Sequence, residues 1–216
     1  MNALKKNPGW RNHITPCILA GGKSLRMGRN KSFVQLGKQA LIEIIVEKLT
    51  GIFISRPVII TNQPEDYAYL GCAMIGDVIK DKGPLGGIHA GLTSAPTPYI
   101  FVFTCDMPFV DDTFVCYMLN RLKQEDILIP RHEERVEPLH AIYSKRCLPA
   151  IEAQLCADQR RVQSFFKDVN VTYVSQAEMK ELKLAEQYFL NVNTADDLAR
   201  AEGYLLRERQ PPQILT

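Results

Sequence analysis

No apolar run in the 216-residue chain approaches the ~20 residues that a bilayer-spanning helix needs. The opening stretch, "MNALKKNPGWRNH", lacks the apolar core of a secretory signal, so a cytoplasmic setting is expected. The cysteines at 17, 72, 105, 116, 147 and 156 form no C-x-x-C pair, which speaks against a structural zinc site or a disulfide framework. Cys17 and Cys105 fall inside apolar runs, where a free thiol behaves as a small hydrophobe. An excess of one charge is also missing. The formal net charge of +2 is too near neutral for a nucleic-acid coat or a polybasic membrane tether, so neither nucleic acid nor membrane is an expected partner. Repeats, low-complexity tracts and clear domain boundaries are absent as well.

What remains is ordinary for a folded domain: 46% hydrophobic and 23% charged residues, in a length that suits one sizeable α/β unit. "ITPCILA" (14–20), "PVIIT" (57–61) and "YIFVFTC" (99–105) read as buried strands. "KQALIEIIVEKLTG" (38–51) and "DDTFVCYMLNRLKQ" (111–124) are amphipathic helices, the first stopped by Gly51 and the second opened by an acidic cap. Further strands are expected at 126–130, 140–144, 171–175 and 188–192, and helices around 145–156, 160–167 and 194–207. Strands alternating with helices at this spacing predict a single-domain, three-layer Rossmann-like fold, its mainly parallel sheet covered on both faces. The domain is expected over 13–207, between loose tails at 1–12 and 208–216.

The most informative stretch is "LAGGKSLRMGRNK" (19–31), with three glycines and four cations (Lys23, Arg26, Arg29, Lys31) in thirteen residues. "GGKS" imitates the end of an ATPase phosphate loop, but the position where that motif needs its first glycine holds Cys17. The dinucleotide fingerprint G-x-G-x-x-G is absent too. Gly21 and Gly22 let backbone N–H groups approach a ligand closely, and Arg26 and Lys31 supply charge for a polyphosphate. Read by composition alone, the stretch is equally a glycine-rich turn with solvated cations.

Other segments present polar groups at strand ends. "FTCDMPFV" puts Asp106 just past a buried strand, as a hard oxygen ligand suited to Mg²⁺ or as a turn former before proline. "GDVIKDKGPLGGIHAGL" offers Asp77 and Asp81 ahead of a glycine-rich turn, Gly83 to Gly87, that leads into a short helix. Asn62 follows strand 57–61 directly. Thr194 can cap the last helix, with Asp196 and Asp197 in its first turn. Asn191 and Asn193, on a strand, would point to one face and could read a heterocycle or fix a loop. His140 can meet a ligand phosphate or be a satisfied histidine at a strand start. Arg160 and Arg161 can do the former or simply open a solvated helix.

The pattern L-A-G-G-x-S-x-R-M-G-x-x-K resembles the signature loop of nucleotidyltransferases, and "RMGRNK" is most similar to that of molybdenum cofactor guanylyltransferases. C-D-x-P, G-P-L-x-G and N-x-N-T segments agree with that family, and the resemblance spans about 14–203. It implies that Leu19, Ala20, Gly21, Gly22, Lys31, Asn62, Asp77 and Asp106 bind GTP, with Asp106 on Mg²⁺. It implies catalytic roles for Arg26, Lys31 and Asp106. The acceptor, molybdopterin or its molybdenum form, would meet Gly83, Pro84, Leu85, His140, Arg161, Asn191 and Asn193. Molybdenum-insertion and molybdoenzyme maturation proteins would be its partners. Two other readings stay open: a cytidylyltransferase or sugar-phosphate nucleotidyltransferase of the same fold, and a non-catalytic cofactor-binding or delivery protein.

Overall fold

The computed structural model describes residues 13–20, 30–53, 55–79 and 81–208. The tail at 1–12, the loop residues 21–29 and the residues beyond 208 lie outside that set. Strand β1 (Ile14–Leu19) comes first. A hairpin of β2 (Gln35–Leu36) and β3 (Gln39–Ala40) follows, turning through Gly37 at φ +66°, a left-handed backbone that glycine adopts freely. Next come α1 (Leu41–Phe53), β4 (Val58–Ile60), β5 (Met74–Ile75) and α2 (Gly83–Ser94). After them run β6 (Tyr99–Thr104), α3 (Asp112–Arg121), β7 (Ile127–His132), β8 (Arg135–Val136) and β9 (Ala141–Ser144). The chain continues through α4 (Leu148–Cys156), β10 (Val171–Val174), α5 (Gln176–Glu181) and α6 (Ala195–Glu208).

The central sheet runs in the order β10-β7-β9-β6-β1-β4-β5, with β8 paired to β7. Along that path every pairing is parallel except those of β9, which is antiparallel to both β6 and β7. The mainly parallel sheet read from the sequence is therefore present. Burial follows the strand period of two. Ile18, Phe101 and Phe103 enter one apolar layer with Ile45, Leu49 and Phe114, beneath α1 and α3. Their neighbours Cys17, Leu19, Ile100 and Val102 enter the opposite layer with Leu85, Ile88 and Ile151, beneath α2 and α4. Both faces are thus covered, and polar groups can emerge only at strand ends. No described helix is long and apolar enough to cross a membrane.

Four elements differ from their sequence expectation. α1 passes through Gly51 and ends at Phe53, because burying Ile52 (9% exposed) and Phe53 (4%) outweighs the ~1 kcal/mol that a helical glycine costs. The turn expected at 83–87 is the first part of α2. Its glycines serve packing: a Cβ on Gly91 would sit 2.9 Å from Ile60 Cδ1 and 3.1 Å from Ile100 Cδ1. The helix expected over 160–167 is a 3₁₀ helix, Val162–Asp168. The strand expected at 188–192 is replaced by a 3₁₀ helix, Glu186–Phe189, and an irregular segment. Tyr188 and Phe189 there pack edge-to-face against Phe114 instead of joining a ladder. α5 was not legible from apolar periodicity, although its capping box, Ser175 with Glu178, is written in the sequence.

Candidate active site

The chain leaves β1 for β4 and β5 on one side, then returns to place β6 on the other side. A crevice opens at such a switch point, beyond the carboxyl ends of the strands. Here it lies beyond Leu19, which is in register with Ile60 of β4 and Thr104 of β6. Asn62 and Asp106 lie just past those two neighbours, two strand spacings or roughly 10 Å apart laterally. The loop 19–31 begins between them.

Both stems of that loop are held to the same buried group. Ala20 is 2% exposed and donates its N–H to the Ile60 carbonyl at 3.0 Å. Its own carbonyl accepts from the Tyr67 hydroxyl at 3.0 Å. On the far stem, Asn30 Nδ2 donates to Tyr67 Oη at 3.0 Å, and Ser32 Oγ lies 2.9 Å from the same oxygen. A phenol has one proton to give, so with Ala20 accepting it Ser32 is the donor in the last contact. Ser32 Oγ also touches Cys105 Sγ at 3.1 Å, which ties the loop's return to the turn bearing Asp106. Burial pushes the Cys105 thiol up to about 11 and raises the Tyr67 phenol, so both stay protonated at neutral pH. Gly21, Gly22, Lys23, Arg26 and Arg29 lie outside the described residues.

Asp106 follows β6 in a turn, half-buried, with Oδ1 accepting from the Thr104 hydroxyl at 2.9 Å. Among the described residues Oδ2 takes no hydrogen bond. The Asp106 carbonyl accepts the Val192 N–H at 2.7 Å, and Lys31 Nζ donates to Asn193 Oδ1. Lys31, the turn that bears Asp106 and the N-x-N-T segment therefore meet at one junction. The segment is anchored in turn by a reciprocal cap: Asp197 Oδ2 accepts from Thr194 Oγ1 at 2.8 Å, and Thr194 Oγ1 accepts the Asp197 N–H at 3.1 Å. Asn191 and Asn193 reach the cleft from an irregular segment, not from the strand expected of them.

Past β4 and β5, Asn62 and Asp77 form a closed pair. Asn62 Nδ2 donates to Asp77 Oδ2, and Asp77 N–H donates to Asn62 Oδ1, each at 2.9 Å. Gly83 and Pro84 are exposed at the start of α2, whereas the Leu85 side chain is fully buried core and is no acceptor contact. Arg161 is exposed and donates to Gln163 Oε1 at 3.3 Å. His140 is the clearest departure from expectation. It is 3% exposed, hydrogen-bonded to the Tyr188 hydroxyl, and ringed by Phe101, Phe103, Phe114 and Phe189. Burial presses its pKa down to about 3, so it is a neutral core residue and not a phosphate contact.

Beside the Asp106 junction opens a cavity of about 480 Å³ whose walls include Asn191, Asn193, Glu137, Arg135, Arg200 and Tyr204. Arg161 does not line it. Two parts of this site escaped sequence reasoning. Tyr67 gave no signal, because its partners lie 35 to 47 residues away. Glu137 had one: an acid just before proline at the entry to an apolar strand.

A family model for the MobA-like NTP transferase domain matches residues 16–176. The chain belongs to this family. Among curated relatives it is 38% identical over 201 residues to a probable molybdenum cofactor guanylyltransferase of Peptoclostridium acidaminophilum, covering 90% of each chain. It is 39% identical over 187 residues to one of Pelotomaculum thermopropionicum, covering 87% of this chain and 91% of that one. Among solved structures, molybdopterin-guanine dinucleotide biosynthesis protein A from Archaeoglobus fulgidus superposes with a TM-score of 0.78 at 28% identity. The match covers 89% of this chain and 99% of that one. Family membership makes the chain a nucleotidyltransferase, with the mainly parallel sheet and flanking helices of that fold.

Proposed function

We propose that this protein transfers GMP from GTP to the terminal phosphate of molybdopterin, with or without its molybdenum, and releases pyrophosphate in a Mg²⁺-dependent reaction. The junction of Lys31, Asn193, Val192 and Asp106 carries this reading, because it joins a phosphate-binding lysine, a hard carboxylate and an acceptor cavity. The names of the curated relatives support the choice of guanine and of the molybdenum cofactor, and that of the Archaeoglobus fulgidus protein supports molybdopterin.

In this reading the triphosphate crosses the carboxyl end of β1, and Gly21, Gly22 and Arg26 are among the residues that bind it. The Asn62–Asp77 pair faces its nucleoside end, and Leu19 and Ala20 form the floor. Asp106 fits Mg²⁺: it is one orientated oxygen donor with its second oxygen open. An ion held this way would take most of its remaining ligands from substrate phosphates and water. Bound there, Mg²⁺ would neutralise charge on the phosphates. Lys31 and Arg26 offset the charge that builds on departing pyrophosphate. The acceptor's phosphate monoester is largely ionised near neutral pH, its second pKa being about 6, so it attacks the α-phosphorus without a general base. Catalysis then rests on alignment and charge, as in phosphoryl transfer generally. Molybdenum-insertion and molybdoenzyme maturation proteins are the partners this product implies.

The test is pyrophosphate release with molybdopterin, Mg²⁺ and each of GTP, CTP, UTP and ATP. GTP-selective release is expected. CTP preference would make the protein a cytidylyltransferase, and silence with all four would point to a delivery protein.

A further inference from the structure

We infer that Glu137 selects the acceptor: its carboxylate reads the paired N–H edge of a 2-amino-4-oxo pyrimidine ring, as in a pterin, inside the cavity beside Asp106. The inference rests on the acceptor assignment above and extends it to one residue.

Glu137 is rigidly placed. Its N–H donates to the Pro130 carbonyl and its carbonyl accepts the His140 N–H, each at 3.0 Å. Pro130 belongs to β7, and His140 is sealed in the aromatic layer, so the core fixes this turn from both sides. The side chain is half-buried and lines the 480 Å³ cavity with Asn191 and Asn193. Among the described residues its carboxylate accepts no hydrogen bond. Burial raises its pKa above the usual carboxylate value, Arg135 and His132 of the β7–β8 hairpin favour its ionised form, and Asp106 opposes it. Arg200 and Asp197 also line the cavity, but Asp197 is committed to the α6 cap.

A half-sheltered carboxylate without a donor is costly, and the cost falls away when a ligand brings donors. A phosphate cannot do so, since it repels a carboxylate. A 2-amino-4-oxo pyrimidine can: its ring N–H and exocyclic amino group form two parallel donors that match two carboxylate oxygens, as a guanidinium does. Asn193, whose Oδ1 already accepts from Lys31, keeps its amide N–H donors for acceptors elsewhere on the ring. Guanine carries the same edge, so the experiment must separate the two sources.

The test uses fluorescence titration of the full chain, with Mg²⁺ and a non-hydrolysable GTP analogue present. The probes are 6-hydroxymethylpterin and the lumazine that replaces its 2-amino group by a carbonyl. The wild-type chain is expected to bind the pterin at least tenfold more tightly. Glu137→Gln, whose amide offers one donor and one acceptor, should bring the two affinities within about threefold. Glu137→Asp should retain the preference. Affinity for the GTP analogue and the melting midpoint should stay near wild type in both variants, which separates this edge from guanine's. Equal binding of the two probes by wild type, failure of both to bind, or an unchanged preference in Glu137→Gln would each overturn the inference. So would a shifted Mg²⁺ dependence with preference intact, because Glu137 would then serve the metal. The parent reading fails separately, if no nucleotide yields pyrophosphate with molybdopterin.

Discussion

Asp106 has one oxygen committed to the Thr104 hydroxyl, and that contact decides which oxygen faces the cleft. Asp106→Asn should therefore keep the fold and lose at least about 100-fold in pyrophosphate release, the scale of removing one preorganised charge contact. Circular dichroism and a melting curve alongside the rate would separate chemistry from collapse. Tyr67→Phe acts differently. It removes the hydroxyl that joins Ala20, Asn30 and Ser32, so the loop's two stems lose their common anchor. We expect a several-fold rise in KM for GTP, with about 1–3 kcal/mol less stability from the partners left unpaired. A KM unchanged from wild type would exclude an anchoring role. His140 predicts a pH effect. Its folded pKa of about 3 lies below its unfolded value, so as pH falls through that window the unfolded chain takes up a proton the folded chain refuses. Stability should decline there by up to about 1.4 kcal/mol per pH unit from this group, and urea midpoints of His140→Gln should show a flatter acid limb. At this scale the sequence was uneven. Asp106 was readable because a carboxylate and a proline follow an apolar run. His140 was misread because a histidine at a strand start looks the same whether it faces a cleft or a ring of phenylalanines.

α2 illustrates how an element can be read for the wrong reason. Its run G-P-L-G-G read as a glycine-rich turn, yet Gly86, Gly87 and Gly91 lie within the helix, and Gly87 and Gly91 let it sit close on β1, β4 and β6. Gly91→Val should cost about 1–3 kcal/mol by overpacking against Ile60 and Ile100, measurable by chemical denaturation. If stability were unchanged, the helix would stand farther from the sheet than described. The runs of β1, β6 and β7 declared their strands because both faces are buried, leaving Val, Ile, Leu and Phe in nearly unbroken series. The segment 188–192 has similar composition, but its aromatics are satisfied sideways by Phe114 and His140, and composition does not encode direction.

For the molecule as a whole, the proposed reading gives the metal one carboxylate, Asp106, and such a cleft has little hold on a free cation. Mg²⁺ alone should leave the melting midpoint unchanged, GTP with Mg²⁺ should raise it, and EDTA should abolish that rise. A strong shift with Mg²⁺ alone would require a protein cage that the described residues do not form. The three-layer architecture was legible because alternation of strand and helix is a local property summed along the chain. The antiparallel turn of β9 was not, since nothing local states the direction in which a strand is inserted.

The bond from Val192 N–H to the Asp106 carbonyl also sets a timetable. On the ribosome, every strand of the sheet has been made once Val174 emerges, and the crevice can already take shape. Asn191, Val192 and Asn193 arrive afterwards, with α6 to hold them in place. A nascent chain therefore has every strand around the crevice before it has the Asn191–Asn193 wall of the neighbouring cavity.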